Sequence, residues 1–465
     1  MRLTRPATTG RVGHLSIGKE IDVVELDAGD VGTDGTALTL PGDEDDTVGI
    51  PYSVLSHIHS QMVIIVPCKN EPPETIRGVL KGIPQHCFIL LVSNSARDLP
   101  GDDRFAKEVA MLRNFCRFGR KALAIHQKDP DAAAALDAAG MPELLGPDGL
   151  VRNGKGEGMI LGLAVVAALC PEKKYAGFVD ADSKLPGSPH EYCRIYAAGF
   201  SMHPDPEENV MVRIHWASKP KARGSQIDFS VTEGRSSAIV NKWLNRCLDI
   251  FWEDIDTDGG PDDGDSVVVT TANAGEHALT MSMALKLRMA GGYAIEPFHY
   301  VDLLQRQLRW LASPGTSSTA SSSLGSASGS GSDTESVLGY PATLEAMGAK
   351  VLQIRSANPH IHNETDDSHA RAMWRVGLST IYHHLLSLDD PEREEDITAL
   401  RERMLAFVAD DERKALGRKA DDVQMVLREE DLLPKPKVYP ALEVLDFKVF
   451  TDGLGKAESL HLVSH

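Results

Sequence analysis

The segment from residue 62 to residue 127 alternates short apolar runs with amphipathic stretches. The runs MVIIVPC (62–68), CFILLVSNS (87–95) and KALAIHQ (121–127) are rich in aliphatic residues and show no polar alternation. Such runs are typical of strands that are buried on both faces of a parallel sheet. The stretches EPPETIRGVLKGI (71–83) and AKEVAMLRNFCRFG (106–119) separate them and have helical spacing. This alternation predicts an α/β fold with a doubly wound, mostly parallel sheet.

The rest of the chain divides by composition. Residues 1–50 are rich in Gly and Asp, which predicts an extended N-terminal segment, and residues 51–311 contain the predicted ligand-binding domain. Residues 312–338 are rich in Ser and Gly and cannot bury enough apolar surface to fold, so we expect a flexible surface insertion. Residues 339–465 predict a largely helical C-terminal region that completes the site. One further helix is predicted over GEHALTMSMALKLRMAGG (275–292), which is apolar nearly all round.

Net charge and cysteine content indicate which binding partners and which cellular compartment to expect. A formal net charge of −19 argues against binding to nucleic acid or to an anionic membrane, because both attract basic surfaces. The six cysteines are scattered without a CxxC pair, which favours reduced thiols. The N-terminus lacks the apolar core of a signal peptide, and no stretch approaches the ~20 apolar residues of a membrane span. We therefore expect a cytoplasmic protein without a membrane partner.

Two carboxylates follow the apolar run YAGFV. Asp180 and Asp182 flank a single alanine, so in an extended chain they point the same way and repel each other. Mg²⁺ or Mn²⁺ would offset this repulsion, since carboxylate oxygens suit hard divalent cations. A polar turn after a strand explains the same residues without a metal. The triplet alone leaves both interpretations open.

Two further motifs have the composition of anion sites. RNGKGEGM (152–159) brings Lys155 and several glycines to the start of a predicted helix, although its spacing is not that of a P-loop. TEGRSSAIVNKWLN (232–245) places Gly234, Arg235, Ser236 and Ser237 before another predicted helix, where an Arg fork, two hydroxyls and free N–H groups suit a phosphate or a carboxylate. The alternatives are an ordinary helix-entry loop and plain N-capping by serine.

The segment NPHIHNE (358–364) offers two histidines, His360 and His362. Histidine is a common metal ligand, but an HxH in a loop also fits a solvated turn. In an extended chain the two side chains point to opposite faces, so we expect at most one of them to reach a metal.

In this order, VPCKNE, GKGEGM, DAD, GRSSAIVNKWLN, AGEHALT and NPHIHNE resemble the motifs of the mannosyl-3-phosphoglycerate synthases. That family consists of retaining glycosyltransferases with a GT-A fold that use GDP-mannose. The similarity runs from about residue 1 to NPHIHNE and continues more weakly through the C-terminal helices, with the Ser/Gly-rich insertion as the main departure. The resemblance implies transfer of mannose from GDP-mannose to 3-phosphoglycerate with Mg²⁺ or Mn²⁺, and it leaves a homodimer open.

The resemblance also implies roles for individual residues. The nucleotide-sugar site would comprise Pro67, Lys69, Asn70, Glu71, Ser93, Asn94, Lys155, Asp180 and Ala181. The acceptor site would comprise Gly234, Arg235, Ser236 and Ser237. The metal ligands would be Asp180, Asp182 and one histidine, with His362 favoured slightly over His360. The catalytic group would comprise Asp182, Lys155, Glu276 and His277, of which the last two would lie at the sugar and the acceptor hydroxyl.

Other functions stay open on the sequence. A glucosyl-3-phosphoglycerate synthase would perform the same chemistry with a glucose nucleotide. A sugar nucleotidyltransferase is less favoured, because PCKNEPPET after the first long apolar strand lacks a Gly-rich loop that ends in basic residues. A metabolite sensor without activity is less favoured because both Asp180 and Asp182 remain. The sequence does not choose between double displacement and same-face attack, and we assign no nucleophile.

Overall fold

The computed structural model describes residues 1–6, 9–27, 47–97, 103–223, 226–230, 234–252, 268–312, 348–363, 367–416 and 428–463. The insertion predicted at 312–338 lies, apart from Ala312, outside the described residues.

The strands and helices follow one another along most of the described chain. The strands are β1 (Arg2–Thr4), β2 (Thr9–Val12), β3 (Leu15–Glu25), β4 (Thr47–Gly49), β5 (Met62–Cys68), β6 (Phe88–Ser93), β7 (Ala122–His126), β8 (Tyr175–Phe178), β9 (Asn209–Trp216), β10 (Lys221–Arg223), β11 (Gln226–Asp228), β12 (His277–Thr280), β13 (Met289–Ala290), β14 (Ala349–Ser356), β15 (His362–Asn363), β16 (Val438–Tyr439) and β17 (His461–Val463). The helices are α1 (Tyr52–Ser60), α2 (Pro73–Gly82), α3 (Arg104–Phe115), α4 (Pro130–Ala138), α5 (Lys155–Leu169), α6 (Gly187–Ser201), α7 (Arg235–Asp249), α8 (Met281–Lys286), α9 (Ile295–Ala312), α10 (Asp367–Leu386), α11 (Glu394–Leu416), α12 (Glu429–Leu432) and α13 (Phe447–Leu454).

One large sheet organises the molecule. Its strand order is β17-β7-β6-β5-β8-β12-β9-β14-β3-β1-β4, and β2 pairs with β3. Strands β7, β6, β5 and β8 pair in parallel, as do β9, β14 and β3, while β12 runs antiparallel between β8 and β9. The predicted α/β class with a doubly wound, mostly parallel sheet is confirmed.

The strand order reverses next to β5. From β5 the chain proceeds outward to β6 and β7, and it then returns to place β8 on the other side of β5. In open α/β sheets, such a switch point leaves a crevice at the carboxyl ends of the strands, because the flanking loops diverge there. The loops after β5 and β8 therefore meet at one edge of the sheet.

The sheet is covered on both faces, as its apolar strands require. Along β5, Val63 and Ile65 belong to one buried cluster, while Ile64 and Val66 belong to a second cluster on the opposite face. Helix α5 packs on β5 and β6, while helix α6 packs on β9 and β14. Both ends of the chain join this sheet: β3 pairs with β14, and β17 pairs with β7.

The helix predicted over residues 275–292 is wrong. The structure has β12 in the centre of the sheet, then the short α8, then β13. A segment that is apolar all round fits a buried strand as well as a buried helix, so its periodicity does not decide between them. Pairing of β12 with both β8 and β9 decides for a strand.

The cysteines are consistent with the expected thiol state, which stays a prediction. All six cysteines lie among the described residues, and each is an unpaired, buried thiol. In the described part of the chain, no helix has the length and apolar character needed to span a membrane.

The close approach of α5 to the turn after β13 yields a stability prediction. A methyl group on Gly156 would lie 2.4 Å from the Ala290 carbonyl oxygen. Overpacking of this kind costs about 1–3 kcal/mol, so Gly156→Ala should lower the free energy of unfolding by that amount in urea titrations. Gly78→Ala in α2 is the matched control, because its methyl group would meet only Pro186 Cγ at 3.5 Å. The control should gain roughly 0.5–1 kcal/mol from helix propensity. Equal effects of the two variants would contradict the assigned contact.

Candidate active site

A cavity of about 790 Å³ opens at the carboxyl edge of the sheet. Four parallel strands deliver residues to it: Pro67 ends β5, Asn94 follows β6, Gln127 follows β7 and Asp180 follows β8. The cavity thus lies at the switch point of the sheet, where the topology predicts a ligand.

The N-terminus of α5 carries the central cation of the site. Lys155 Nζ lies 2.8 Å from Asp180 Oδ2 and 2.9 Å from Glu296 Oε1. Burial opposes the charge of this ammonium, but Asp180, Glu296 and Glu276 outweigh burial and raise the pKa of Lys155 well above its ordinary value. Lys155 therefore remains charged and joins β8 to α9 across the base of the cavity.

More carboxylates converge here than Lys155 can pair. Burial and the nearby Asp180 raise the pKa of Asp182, and the same two causes raise the pKa of Glu276 well above its usual range. Among the described residues, four buried oxygens of this cluster have no hydrogen-bond partner: Asp182 Oδ1, Glu276 Oε1, Glu276 Oε2 and Glu296 Oε2. Buried acceptors without partners are costly, so the cluster is suited to bind a cation or several hydrogen-bond donors.

A buried arginine holds the loop that precedes Glu276. Arg213 Nε donates to the Thr271 carbonyl at 3.0 Å, and Arg213 Nη2 donates to the carbonyls of Ala272 and Ala274. These bonds fix the turn that brings Asn273 and Gly275 to the cavity wall. Glu276 follows directly, so the position of its carboxylate depends on Arg213.

The structure places Glu276 and His277 on opposite faces of the sheet. His277 Nδ1 lies 3.0 Å from the Gly275 carbonyl oxygen, and its ring packs against Phe178 and His299 in the buried layer. Burial lowers the pKa of His277 well below its ordinary value, with His299 as the next cause. Glu276 alone of this predicted pair joins the acidic cluster.

His360 reaches the same region from the loop after β14. Glu191 on α6 accepts hydrogen bonds from the backbone N–H groups of Ala357 and Asn358, which fixes this loop. His360 Nδ1 lies 3.1 Å from the Tyr192 hydroxyl, and its side chain lines the cavity. The backbone of His362 starts β15, but its side chain lies outside the described residues.

The residues predicted to bind the nucleotide sugar fall into two groups in the structure: some line the cavity and others support its wall. Pro67, Lys69, Glu71, Asn94, Lys155, Asp180 and Ala181 line the cavity. Asn70 instead holds the loop: it has a left-handed φ of 61°, its N–H donates to Ser95 Oγ, and its Oδ1 accepts from Ala96 N. Ser93 is buried, and its Oγ accepts from Ser95 N. Asn70 and Ser93 therefore support the cavity wall from behind.

The four predicted acceptor residues meet the cavity where α7 begins. Gly234, Arg235, Ser236 and Ser237 all line it. Ser236 Oγ donates to the Ala370 carbonyl at 3.0 Å, which ties this helix end to α10. Arg235 Nη1 lies 3.1 Å from Asp367 Oδ1, and both side chains are largely exposed. Free N–H groups at a helix N-terminus together with a guanidinium make an anion site.

Sequence reasoning missed several residues of the cavity wall. These are Trp216, Lys219, Tyr293, Glu296 and His369. Glu296 lies in the first turn of α9 and Lys219 follows β9, and neither stands in a motif that suggests a ligand. Only the pairing of distant elements reveals them.

The sequence is similar to those of known proteins. The sequence model described as Mannosyl-3-phosphoglycerate synthase (osmo_MPGsynth) matches residues 5–454. The mannosyl-3-phosphoglycerate synthase of Pyrococcus furiosus is 34% identical over 345 residues, which cover 74% of this chain and 77% of that protein. The Aeropyrum pernix enzyme of the same name is 32% identical over 399 residues, which cover 85% of this chain and 84% of that protein.

A solved structure is also similar. It is a crystal structure of glucosyl-3-phosphoglycerate synthase from Mycobacterium tuberculosis in complex with phosphoglyceric acid. Its TM-score is 0.42 at 15% identity, over 74% of this chain and 88% of that chain, which is too weak a likeness to support an inference.

The site and the sequence matches together define a glycosyltransferase. The family match spans nearly the whole described fold, including every strand that borders the cavity. The chain belongs to the mannosyl-3-phosphoglycerate synthase family.

Because the pKa of Glu276 is raised, replacing Glu276 with the neutral Gln should increase stability by an amount that depends on pH. An unfolded Glu ionises near about pH 4.3, whereas burial and Asp180 disfavour ionisation in the folded protein. Ionisation therefore costs folded-state stability as the pH rises above the unfolded pKa. Glu276→Gln removes this cost, so its melting temperature minus that of the wild type should be near zero below about pH 4 and should grow toward pH 8.

These melts are measured in EDTA. Glu458→Gln, which changes an exposed carboxylate, is the control and should show no such trend. A difference that stays flat or falls with pH would show that the folded protein does not disfavour ionisation of Glu276.

Proposed function

We propose that the protein transfers mannose from GDP-mannose to 3-phosphoglycerate, with retention of anomeric configuration and with a divalent cation. The observation that carries this proposal is the arrangement within one cavity: the Asp180–Asp182 pair and Lys155 at its base, and the Arg235 helix end on its wall. A nucleotide-sugar donor and an anionic acceptor can thus bind side by side. Six free thiols suit the reducing cytoplasm.

The donor occupies the end of the cavity under the loops after β5 and β6. Pro67, Lys69, Glu71 and Asn94 form the wall for the nucleoside. Lys155 faces the diphosphate, because its ammonium stands at the N-terminus of α5 where backbone N–H groups also point outward. The carboxyl group of buried Glu276, whose oxygens have no hydrogen-bond partner among the described residues, binds the sugar hydroxyls.

The carboxylates fit a bound Mg²⁺ or Mn²⁺. The buried Asp182 Oδ1 has no hydrogen-bond partner among the described residues, and carboxylate oxygens suit hard cations. In the described part of the chain, no three His, Cys, Asp or Glu side chains form a complete metal site, so the donor and water must supply further ligands. We assign Asp180 and Asp182 to the cation; His360 lines the same cavity but does not form a three-residue metal site with them. When bound, the cation acts as a Lewis acid that stabilises the charge on the departing diphosphate.

Side chains and a helix N-terminus of this chain stabilise the leaving group and hold the acceptor. Lys155 stabilises negative charge as the anomeric C–O bond breaks, because its own charge is secured by two carboxylates. The N-terminus of α7 and Arg235 hold the acceptor phosphate. The acceptor hydroxyl then lies on the side of Asp182 and Glu276. No side chain is assigned as a nucleophile.

Turnover with a donor panel tests the proposal. Purified protein is incubated with 3-phosphoglycerate and GDP-mannose, GDP-glucose or UDP-glucose, with Mg²⁺, with Mn²⁺ or with EDTA. We expect mannosyl-3-phosphoglycerate with GDP-mannose and loss of turnover in EDTA. Preferred turnover of a glucose nucleotide would replace the donor assignment, and absence of turnover with every donor would contradict an enzyme of this class.

Replacement of Asp182 tests the cation site. Asp182→Ala should lower kcat by at least about 100-fold, since it removes a group that holds an important electrostatic stabiliser. Mn²⁺ binding, measured by electron paramagnetic resonance of the free ion, should weaken in parallel. Asp137→Ala, on an exposed position of α4, is the matched control and should retain both properties. Full activity of Asp182→Ala in EDTA would contradict a metal-dependent reaction.

Replacement of Arg235 tests the phosphate site. Arg235→Lys keeps the charge but loses the planar fork, so kcat/KM for 3-phosphoglycerate should fall about 10- to 150-fold while the affinity for GDP-mannose stays constant. Arg246→Lys on the same helix is the control. Asp367→Asn should act in the opposite direction and lower KM for the acceptor, because it releases Arg235 from its ion pair. A loss of donor affinity with unchanged acceptor KM would assign Arg235 to the nucleotide instead.

A further inference from the structure

Lys219 is a cation of the cavity wall that no carboxylate pairs. Among the described residues it has no hydrogen bond and no ion pair. Its Nζ lies instead 3.9 Å from the centre of the Trp216 ring. Lys155 differs, because two carboxylates lie within hydrogen-bond distance of its ammonium. An ammonium over an aromatic face makes no close carboxylate contact there, so it is available to an anionic ligand.

The position of Lys219 links it to the acceptor loop. A methyl group on Gly234 would lie 3.6 Å from Lys219 Nζ and 3.3 Å from Ser237 Oγ. The ammonium and this hydroxyl therefore flank Gly234, at the N-terminal end of α7. Both side chains line the same cavity as Arg235. Lys219 and Arg235 thus lie on the same wall of the cavity, as does Lys221, and Arg235 is paired with Asp367.

The charge balance of Lys219 supports a ligand of opposite sign. Burial lowers the pKa of Lys219 below its ordinary value, and the opposing effects of Glu276, Glu296, Asp182 and Asp180 offset burial only in part. No one of these carboxylates reaches it closely enough for an ion pair among the described residues. A desolvated charge without a close partner is costly, and a bound carboxylate would offset that cost.

The proposed acceptor carries two anionic groups, a phosphate and a carboxylate, with the reactive hydroxyl on the carbon between them. We propose that Lys219 binds the carboxylate of the acceptor while Arg235 and the N-terminus of α7 bind its phosphate. This inference rests on the proposed function. Lys219 is then the residue that selects an acid over an uncharged alcohol at this position, and the two fixed ends turn the hydroxyl toward the carboxylate cluster.

The preference for an acidic acceptor can be measured by removing the charge of Lys219 in the protein and the carboxylate in the ligand, separately and together. Calorimetric titration in the presence of GDP and Mg²⁺ compares 3-phosphoglycerate with glycerol 3-phosphate, which has a hydroxymethyl group in place of the carboxylate. Wild-type protein should bind 3-phosphoglycerate about 10- to 150-fold more tightly, the range expected for one charge-assisted contact. Lys219→Met should abolish this preference by weakening 3-phosphoglycerate alone. Lys219→Arg should keep a preference of the same direction, because a cation remains.

Two controls separate binding from folding. Lys242→Met removes one charge from the exposed face of α7 and should keep the wild-type preference. The melting temperature of Lys219→Met without ligands should equal or exceed that of the wild type, since the substitution removes a desolvated charge.

The outcomes are distinguishable. A preference that survives in Lys219→Met would overturn the inference, because another group would then bind the carboxylate. Loss of GDP affinity in Lys219→Met would also overturn it and assign the ammonium to the donor diphosphate. If the wild type bound neither acceptor and yielded no product with any donor, the proposed function itself would fail, and this inference would fail with it.

Discussion

The cavity depends on one electrostatic constraint, the excess of carboxylates around Lys155. Asp180 and Glu296 contact its ammonium, while Asp182 Oδ1 and both carboxyl oxygens of Glu276 have no hydrogen-bond partner among the described residues. Folding thus gathers like charges away from water, and burial first and the nearby Asp180 second raise the pKa values of Asp182 and Glu276. A bound divalent cation would offset this repulsion. An anionic ligand beside such a cluster would need cations at its edge.

A framework of buried polar contacts holds these charges in place. Glu157, two residues beyond Lys155, accepts hydrogen bonds from the Tyr439 hydroxyl at 2.7 Å and from Gly292 N at 2.9 Å. The C-terminal region therefore fixes the start of α5 from behind. Arg213 fixes the loop before Glu276 through hydrogen bonds in the same way, and Glu191 fixes the loop that carries His360. Each contact joins elements far apart in the chain, because a site at a switch point is built from several loops.

Local sequence patterns predicted the strands of the sheet and the loops at its binding edge. Continuous apolar runs indicated the parallel strands, and polar residues directly after them indicated which loops share the binding edge. Gly and Ser beside Arg235 indicated a helix N-terminus with anion-binding character. Residues 275–292 show the limit of this reasoning: their apolar pattern favoured a helix, whereas pairing on both sides makes β12 a central strand. Burial on all sides removes the periodicity on which such predictions depend.

The sequence by itself determined the α/β class, the Asp180–Asp182 pair and the helix ends that face the cavity, because period, capping and turn chemistry act between near neighbours. Only the tertiary structure decided which side chains meet. It brought Glu296 to Lys155 across 141 residues, placed His277 away from Glu276, and set Lys219 on Trp216 beside Gly234. Electrostatic and hydrogen-bond partners must be close in space. Local sequence patterns do not reveal which distant residues the fold brings together.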